Sequence, residues 1–173
     1  MNPRGQLRRQ ISRALAWLVP ERNPSGSVFG LITVGALLAA ESHIRESYAD
    51  TVGSTAIVLL TYWLAHSYSD LLGGRLVVGE RLGWEVTLRA FAKEWAIIKG
   101  ATLPFVVLLI GWAAGAPQET AATAAVWTAA VALVAFELAA GVRAAAGPRQ
   151  LALDGLVGVA IGLAIVGLRS VVA

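Results

Sequence analysis

The segment TAATAAVWTAAVALVAFELAAG, residues 120–141, carries a single charged side chain, Glu137, and it decides the fold class. A helix needs about 20 predominantly apolar residues to cross the hydrocarbon layer of a bilayer, and this segment is long enough. The segment LALDGLVGVAIGLAIVGLRSV, residues 151–171, has the same character, with Asp154 near its start and Arg169 near its end. We predict that both segments cross a membrane as α-helices.

The composition of the whole chain supports the same fold class. Of its 173 residues, 57% are hydrophobic and 14% are charged, whereas soluble domains have roughly 25% charged residues. A soluble domain of this length has too small an interior for so much apolar surface. The chain has no cysteine, which excludes disulfides, thiolate metal ligands and a cysteine nucleophile. We therefore predict an all-α polytopic transmembrane helical bundle.

Three earlier segments are also long enough to cross, which gives five predicted spans: about 27–45, 51–72, 96–115, 120–141 and 151–171. The first is the weakest, because its apolar run VFGLITVGALLAA ends at residue 40. To cross, it must continue through Glu41 and His43 to Arg45. These three residues form a predicted outer polar group at the far boundary of the membrane.

The distribution of Lys and Arg predicts the orientation, because cytoplasmic loops carry an excess of both. With the N-terminus in the cytoplasm, the outer side holds only Arg45 and Arg169, and the inner side holds the other twelve basic residues: Arg4, Arg8, Arg9, Arg13, Arg22, Arg75, Arg81, Arg89, Lys93, Lys99, Arg143 and Arg149. The C-terminus is then outside. Abundant Ala, Gly, Val and Arg with few Lys favour the plasma membrane of a GC-rich bacterium. A signal peptide cleaved after Ala40 is the alternative for the N-terminal part.

Two amphipathic interfacial helices are predicted on the cytoplasmic side. Residues 1–22 have apolar side chains at helical spacing with Arg on the other faces, and they form a basic N-terminal domain ahead of the bundle, residues 23–173. Residues of about 80–95 repeat the layout, with Trp84, Leu88, Phe91 and Trp95 in one stripe. A bend at Gly100 or Pro104 would separate this helix from its span. A repeat of two similar halves and a chance likeness both remain open.

Ionisable residues within the spans are the candidate functional residues, because such groups are costly in hydrocarbon. Tyr62, His66 and Asp70 are spaced four apart, so they lie on one helix face, and Thr55 and Leu59 continue that face outward. Lys99, Glu137 and Asp154 lie at similar depth on the inner side of their spans. We predict that these groups line a cytoplasm-facing polar vestibule: Tyr62, His66, Asp70, Lys99, Glu137 and Asp154.

Three interpretations of these groups compete. They are helix-end residues whose side chains reach water, or a vestibule for an ion, proton or small solute, or a catalytic or metal site. The last is the least favoured, because the only two histidines lie near opposite membrane faces and the chain lacks recognisable catalytic motifs. No catalytic residue, metal or cofactor is expected. The leading hypothesis is a small transporter or channel-like protein.

Small residues in the spans predict close helix packing, because lipid does not drive helices together as water does. The candidate packing residues are Gly111, Gly115, Gly155, Gly158 and Gly162. If such faces instead dock another subunit, the protein is a non-catalytic membrane scaffold or accessory subunit, which is the alternative function. The expected partners are the bilayer, with anionic headgroups at its inner face, and a homo-oligomer or membrane protein. Nucleic acid is not expected, because orientation already explains the arginines.

Overall fold

The computed structural model of the protein describes residues 23–41, 47–79, 81–144 and 146–172, and every regular element within them is an α-helix. Five helices follow one another: α1 Pro24–Glu41, α2 Tyr48–Val78, α3 Trp84–Ala113, α4 Gln118–Arg143 and α5 Pro148–Val172. The all-α prediction is confirmed for these residues. The amphipathic helix predicted over residues 1–22 lies outside them.

Three of the described helices, α3, α4 and α5, are long and apolar enough to cross a membrane. Helix α1 is apolar but shorter, and α2 does not fall in either group. Large apolar side chains cover the outside of the bundle: Ile57, Ile110 and Leu156 are 66%, 62% and 63% exposed. Soluble monomers rarely expose apolar surface on this scale. The three long apolar helices and this exposed apolar surface are consistent with a helical membrane protein.

The helix ends are defined by local signals. Asn23 caps α1, because its Oδ1 accepts hydrogen bonds from the Gly26 N–H at 2.9 Å and from the Ser25 hydroxyl at 2.8 Å. Ser47 and Asp50 form a reciprocal capping box at the start of α2. Gly79 ends α2 in the left-handed conformation, with φ of 70°, which glycine adopts without strain.

Helix α1 is the central element of the bundle and packs against each of the other four helices. Leu31, Val34 and Leu38 are at most 1% exposed. The apolar run of α1 is short, which makes it the weakest predicted span. The same helix occupies the most buried position in the bundle. Its neighbours rather than lipid surround most of its length.

Two glycines bring α1 and α3 together. A Cβ on Gly30 would overlap the carbonyl oxygen of Ile97, and a Cβ on Gly100 would overlap the carbonyl oxygen of Ser27. The Ser27 hydroxyl also donates to the Ala96 carbonyl at 3.1 Å across the same crossing. Gly100, predicted as a bend, is thus a packing residue, and Gly30 is one that the sequence analysis missed.

Helix α3 is continuous through both predicted bend positions. It runs from Trp84 to Ala113 without interruption at Gly100 or at Pro104, which is buried inside the helix. The predicted interfacial helix over residues of about 80–95 is therefore not a separate element, and residues 84–95 are the first part of α3. The close contact with α1 explains why residue 100 is a glycine, without a bend in the helix.

Helices α4 and α5 are antiparallel neighbours in close contact. A Cβ on Gly158 would lie 3.0 Å from Cα of Val134, and one on Gly162 would lie 3.2 Å from Cβ of Ala130. Gly155 of α5 faces Leu138 of α4. Three of the five predicted packing glycines therefore lie between two helices of one chain.

The other two predicted packing glycines differ from each other. A Cβ on Gly111 would overlap Ala121 of α4, so this glycine permits the contact between α3 and α4. Gly115 lies beyond the end of α3 with φ of 69°, and no atom would come within 4 Å of its Cβ. The prediction of Gly115 as a packing residue is wrong, because the helix has already ended and this position forms the turn into α4.

Candidate functional site

A buried carboxylate lies at the contact of α3 with α1 and α2. Glu94 is 2% exposed, whereas Glu85 on the first turns of the same helix has a side chain that is 90% exposed. A charged group removed from solvent is strongly destabilising unless hydrogen bonds or opposite charges compensate it. The surroundings of Glu94 therefore define the candidate site.

Asn23 links Glu94 to the start of α1. Its side-chain amide donates to Oε2 of Glu94 at 3.1 Å and to the carbonyl of Lys93 at 3.3 Å. The oxygen of the same amide caps α1. The Asn23 side chain therefore caps the start of α1 and also donates a hydrogen bond to the buried carboxylate.

His66 brings a titratable ring to the same carboxylate from α2. Its Nδ1 is buried and lies 3.2 Å from Oε2 of Glu94, although without hydrogen-bond alignment. The His66 ring packs against those of Phe29 at 5.6 Å and Tyr62 at 6.0 Å between centroids. The His66 side chain as a whole is 39% exposed. One side of the ring therefore meets the buried acid while another reaches the surface.

An ion pair between Lys93 and Asp70 borders the buried acid. The Lys93 ammonium lies 2.8 Å from Oδ1 of Asp70 and 3.8 Å from Oε1 of Glu94. Both side chains of the shorter pair are partly exposed, at 50% and 38%. A shallow depression of about 170 Å³ opens beside them, with Val86 and Arg89 in its wall. We call the five residues Asn23, His66, Asp70, Lys93 and Glu94 the Glu94 cluster.

The charges in the Glu94 cluster do not balance when His66 is neutral. Two carboxylates, Asp70 and Glu94, face a single fixed cation, Lys93, which leaves a net charge of −1. Arg89 lies at the rim, and its described ion pair is with Glu85 at 4.0 Å rather than with a carboxylate of the cluster. One added proton, on His66 or on Glu94, makes the described cluster neutral.

The structure divides the predicted vestibule residues into separate places. Tyr62, His66 and Asp70 lie together on α2, and the last two belong to the Glu94 cluster. Lys99 is exposed on α3, five residues after Glu94 and six after Lys93.

Glu137 and Asp154 lie at the contact of α4 with α5. Glu137 faces Gly158, and Asp154 faces Gly141 and accepts a hydrogen bond from Gln150 at 3.1 Å. Within the described residues, no hydrogen bond or ion pair joins them to the Glu94 cluster. The six predicted residues therefore do not form one site, because α2 packs against α3 and α1 while α4 and α5 pack against each other.

Most of the predicted outer polar group lies outside the described residues. His43 and Arg45 lie outside the described residues, and of Glu41 only the backbone, at the end of α1, is described. The described polar contacts at that end of the bundle are others. The Tyr48 hydroxyl donates to the Ala116 carbonyl at 2.6 Å, and the Gln118 amide donates to the Thr51 hydroxyl at 2.7 Å.

Sequence reasoning missed Glu94, Lys93 and Asn23 as site residues. It predicted a separate interfacial helix over residues of about 80–95, with Glu94 off the aromatic stripe and no neighbouring helix against it. In the structure Trp84 and Trp95 are 75% and 45% exposed, whereas the opposite face is buried. The signal was available, because a carboxylate near a membrane span avoids lipid by turning toward other helices.

Comparison with known proteins adds no assignment. No protein-family model, no curated protein and no solved structure matches this chain. Within the described residues, no group of three or more His, Asp or Glu side chains is arranged to hold a metal ion. The chemistry of the Glu94 cluster is therefore the basis for assigning a function.

Proposed function

We propose that all five helices cross the plasma membrane of a bacterium, with the N-terminal end inside and the C-terminal end outside. The alternation of helix direction supports this arrangement. Arg75 and Arg143 end helices on the proposed inner side, and Arg169 lies at the other end of the bundle, 3.9 Å from Glu119. The excess of Lys and Arg then faces the cytoplasm, where anionic headgroups attract it.

Aromatic side chains support the same placement. Tyr48 and Trp112 stack at one level, with ring centroids 6.1 Å apart, and Trp63 and Trp95 meet at another level, 5.5 Å apart. Trp95 and Trp112 are separated along α3 by about 25 Å at the usual helical rise. Because Trp and Tyr concentrate at the two membrane interfaces, this spacing suits a hydrocarbon layer. The Glu94 cluster then lies at the inner boundary, and residues 84–93 extend into the inner headgroup layer.

Cysteine labelling tests this topology directly, because the chain has no cysteine of its own. In intact cells we expect a membrane-impermeant maleimide to label Ser47→Cys and Pro117→Cys. We expect Arg75→Cys and Arg143→Cys to react only after the membrane is permeabilised. Labelling of Arg75→Cys from outside would contradict the proposed orientation.

We further propose that the protein moves protons across this membrane and that the Glu94 cluster binds the transported proton. The observation that supports this function is the charge count: two carboxylates, of which Glu94 is buried, share one lysine, so the cluster is one proton short of neutrality. Histidine exchanges protons near neutral pH, and His66 contacts both the buried acid and the surface. The depression beside Asp70 and Lys93 is the proposed entrance from the cytoplasm.

Proteoliposomes provide the test of this function. With a membrane potential set by potassium and valinomycin, we expect the purified protein to change the internal pH, measured with a trapped fluorescent dye. We expect His66→Gln to lower this rate by at least about tenfold, because it removes a proton acceptor and donor. A wild-type rate equal to that of protein-free vesicles would contradict the proposal.

The alternative function, docking of a partner through the glycine faces, has less support. Gly158 and Gly162 pack against α4, so a partner at that face would have to displace a helix of the same chain. The lipid bilayer is the proposed surrounding of the other exposed apolar faces.

A further inference from the structure

We propose that the inward-turned face of α2 is the path by which a proton leaves the Glu94 cluster for the outer side, and that Leu59 is its hydrophobic gate. This inference rests on the proton-translocating function proposed above. It assigns roles to Thr55, Leu59 and Ser67, none of which belongs to the Glu94 cluster.

The path follows from the positions of polar residues along α2. Thr51, Thr55, Leu59, Tyr62 and His66 are separated by three or four residues, which places them on one helix face. Thr51, Thr55 and Leu59 are 2%, 0% and 8% exposed. The distance from Thr51 to His66 is about 22 Å along the helix. This row therefore extends over most of a hydrocarbon layer of about 30 Å.

Two buried hydroxyl groups of α2 differ from several others in the bundle: Thr55 lies on this face, and Ser67 follows His66 directly, about 100° round the helix from it. Oγ1 of Thr55 and Oγ of Ser67 are fully buried and have no hydrogen-bond partner. By contrast, Thr102, Thr123 and Thr128 donate to the carbonyl four residues earlier, at 2.9, 2.6 and 2.7 Å. Hydroxyls that are not bonded to their own helix are free to exchange hydrogen bonds with water. One lies outward of Leu59 and the other inward, near His66.

Polar groups also lie where the path would reach the outer side. The Thr51 hydroxyl accepts from the side chain of Gln118 at 2.7 Å, and Tyr48 bonds to the Ala116 carbonyl. Both contacts join α2 to the connection between α3 and α4. The row therefore begins at the Glu94 cluster and ends among groups at the opposite end of the bundle.

Leu59 interrupts this row with a side chain that neither donates nor accepts a hydrogen bond. It is nearly buried and belongs to the hydrophobic core. A proton moves along hydroxyls and water when each oxygen accepts one proton and releases another, so that no intermediate keeps a charge. Transfer past Leu59 requires water to enter the apolar constriction, and such constrictions gate conduction by drying. Leu59 thus separates the two unpartnered hydroxyls.

Paired substitutions on α2 test the path in the same proteoliposome assay. We expect Leu59→Ser to raise the proton rate by roughly tenfold and Thr55→Val to lower it by about the same factor, because they remove the apolar barrier and a relay hydroxyl respectively. The matched controls are Leu60→Ser and Thr61→Val, the same changes at exposed neighbouring positions. Both controls should conduct at the wild-type rate. Thermal unfolding in detergent checks that each variant is folded.

The outcomes separate the path from the function on which it depends. If the wild-type protein shows no flux, or a flux that Glu94→Gln leaves unchanged, the proposed function fails. If the flux depends on Glu94 but Thr55→Val conducts as fast as Thr61→Val, the path is overturned and the function stands. That result would overturn the path even if Leu59→Ser conducted faster, because a serine in the core can also open an unrelated leak.

Discussion

Glu94→Gln is expected to reduce proton transport in proteoliposomes by at least about a hundredfold, the lower end of the loss when a positioned acid–base group is removed. The change deletes the only buried carboxylate of the Glu94 cluster while keeping the shape of the side chain. The remaining charges, Asp70 and Lys93, already balance without a proton. The cluster then has no electrostatic reason to take one up.

The fold should tolerate this substitution. The carbonyl oxygen of glutamine can still accept the hydrogen bond from Asn23, which is 3.1 Å from Oε2 in the native site. The substitution leaves no unpaired buried charge, because Lys93 is 50% exposed and keeps its shorter contact with Asp70 at 2.8 Å. We therefore expect an unfolding temperature equal to or above that of the wild type.

A matched control exists on the same helix. Glu85→Gln makes the same chemical change at a side chain that is 90% exposed, and it should leave the proton rate unchanged. Equal loss of transport in both variants would indicate a general effect of charge. An unchanged rate in Glu94→Gln would remove the proposed proton site.

Gly30→Ala is expected to destabilise the protein by about 3 kcal/mol, the upper end of the usual range for overpacking. The added methyl group would overlap the carbonyl oxygen of Ile97, which is backbone and cannot rotate away. Relief requires α1 to separate from α3 along a contact that also includes Gly100 and Ser27. Because α1 touches all the other helices, this separation disturbs the whole bundle.

Gly53→Ala is the control for this effect. Gly53 lies in α2, and a Cβ there would meet no atom within 4 Å. Alanine is the better helix former by about 1 kcal/mol, so this variant should be as stable as the wild type or more so. Unfolding temperature and monodispersity in detergent measure both changes. If Gly30→Ala were as stable as Gly53→Ala, the described contact between α1 and α3 would be wrong.

The helices of this protein are largely predictable from sequence, because apolar runs such as residues 120–141 and 151–171 have the length that a bilayer requires. The arrangement of the helices is less predictable. Nothing in the apolar run of α1 indicates that it is central, since burial against protein and burial against lipid select similar residues. Gly30 shows the same difficulty, because only the neighbouring carbonyl of Ile97 reveals why glycine is needed.

The candidate site was predictable in part. The spacing of His66 and Asp70 indicated that they lie close together on α2, because one helix fixes that geometry by itself. The grouping of this face with Glu137 and Asp154 was wrong, because similar depth in the membrane does not determine which helices are neighbours. Glu94 was missed because residues of about 80–95 were interpreted as an interfacial helix, whereas they are the first part of α3 and pack against other helices. In lipid, aromatic residues face outward and the polar side turns inward.

The most direct test of the account is whether the Glu94 cluster exchanges a proton. Infrared difference spectra of the protein in lipid, recorded across the range of about pH 5 to 8 in which histidine changes charge, can detect this exchange. We expect a carboxyl or imidazolium band in the wild type and in Glu85→Gln that is lost in Glu94→Gln. The same band in all three proteins would contradict the account.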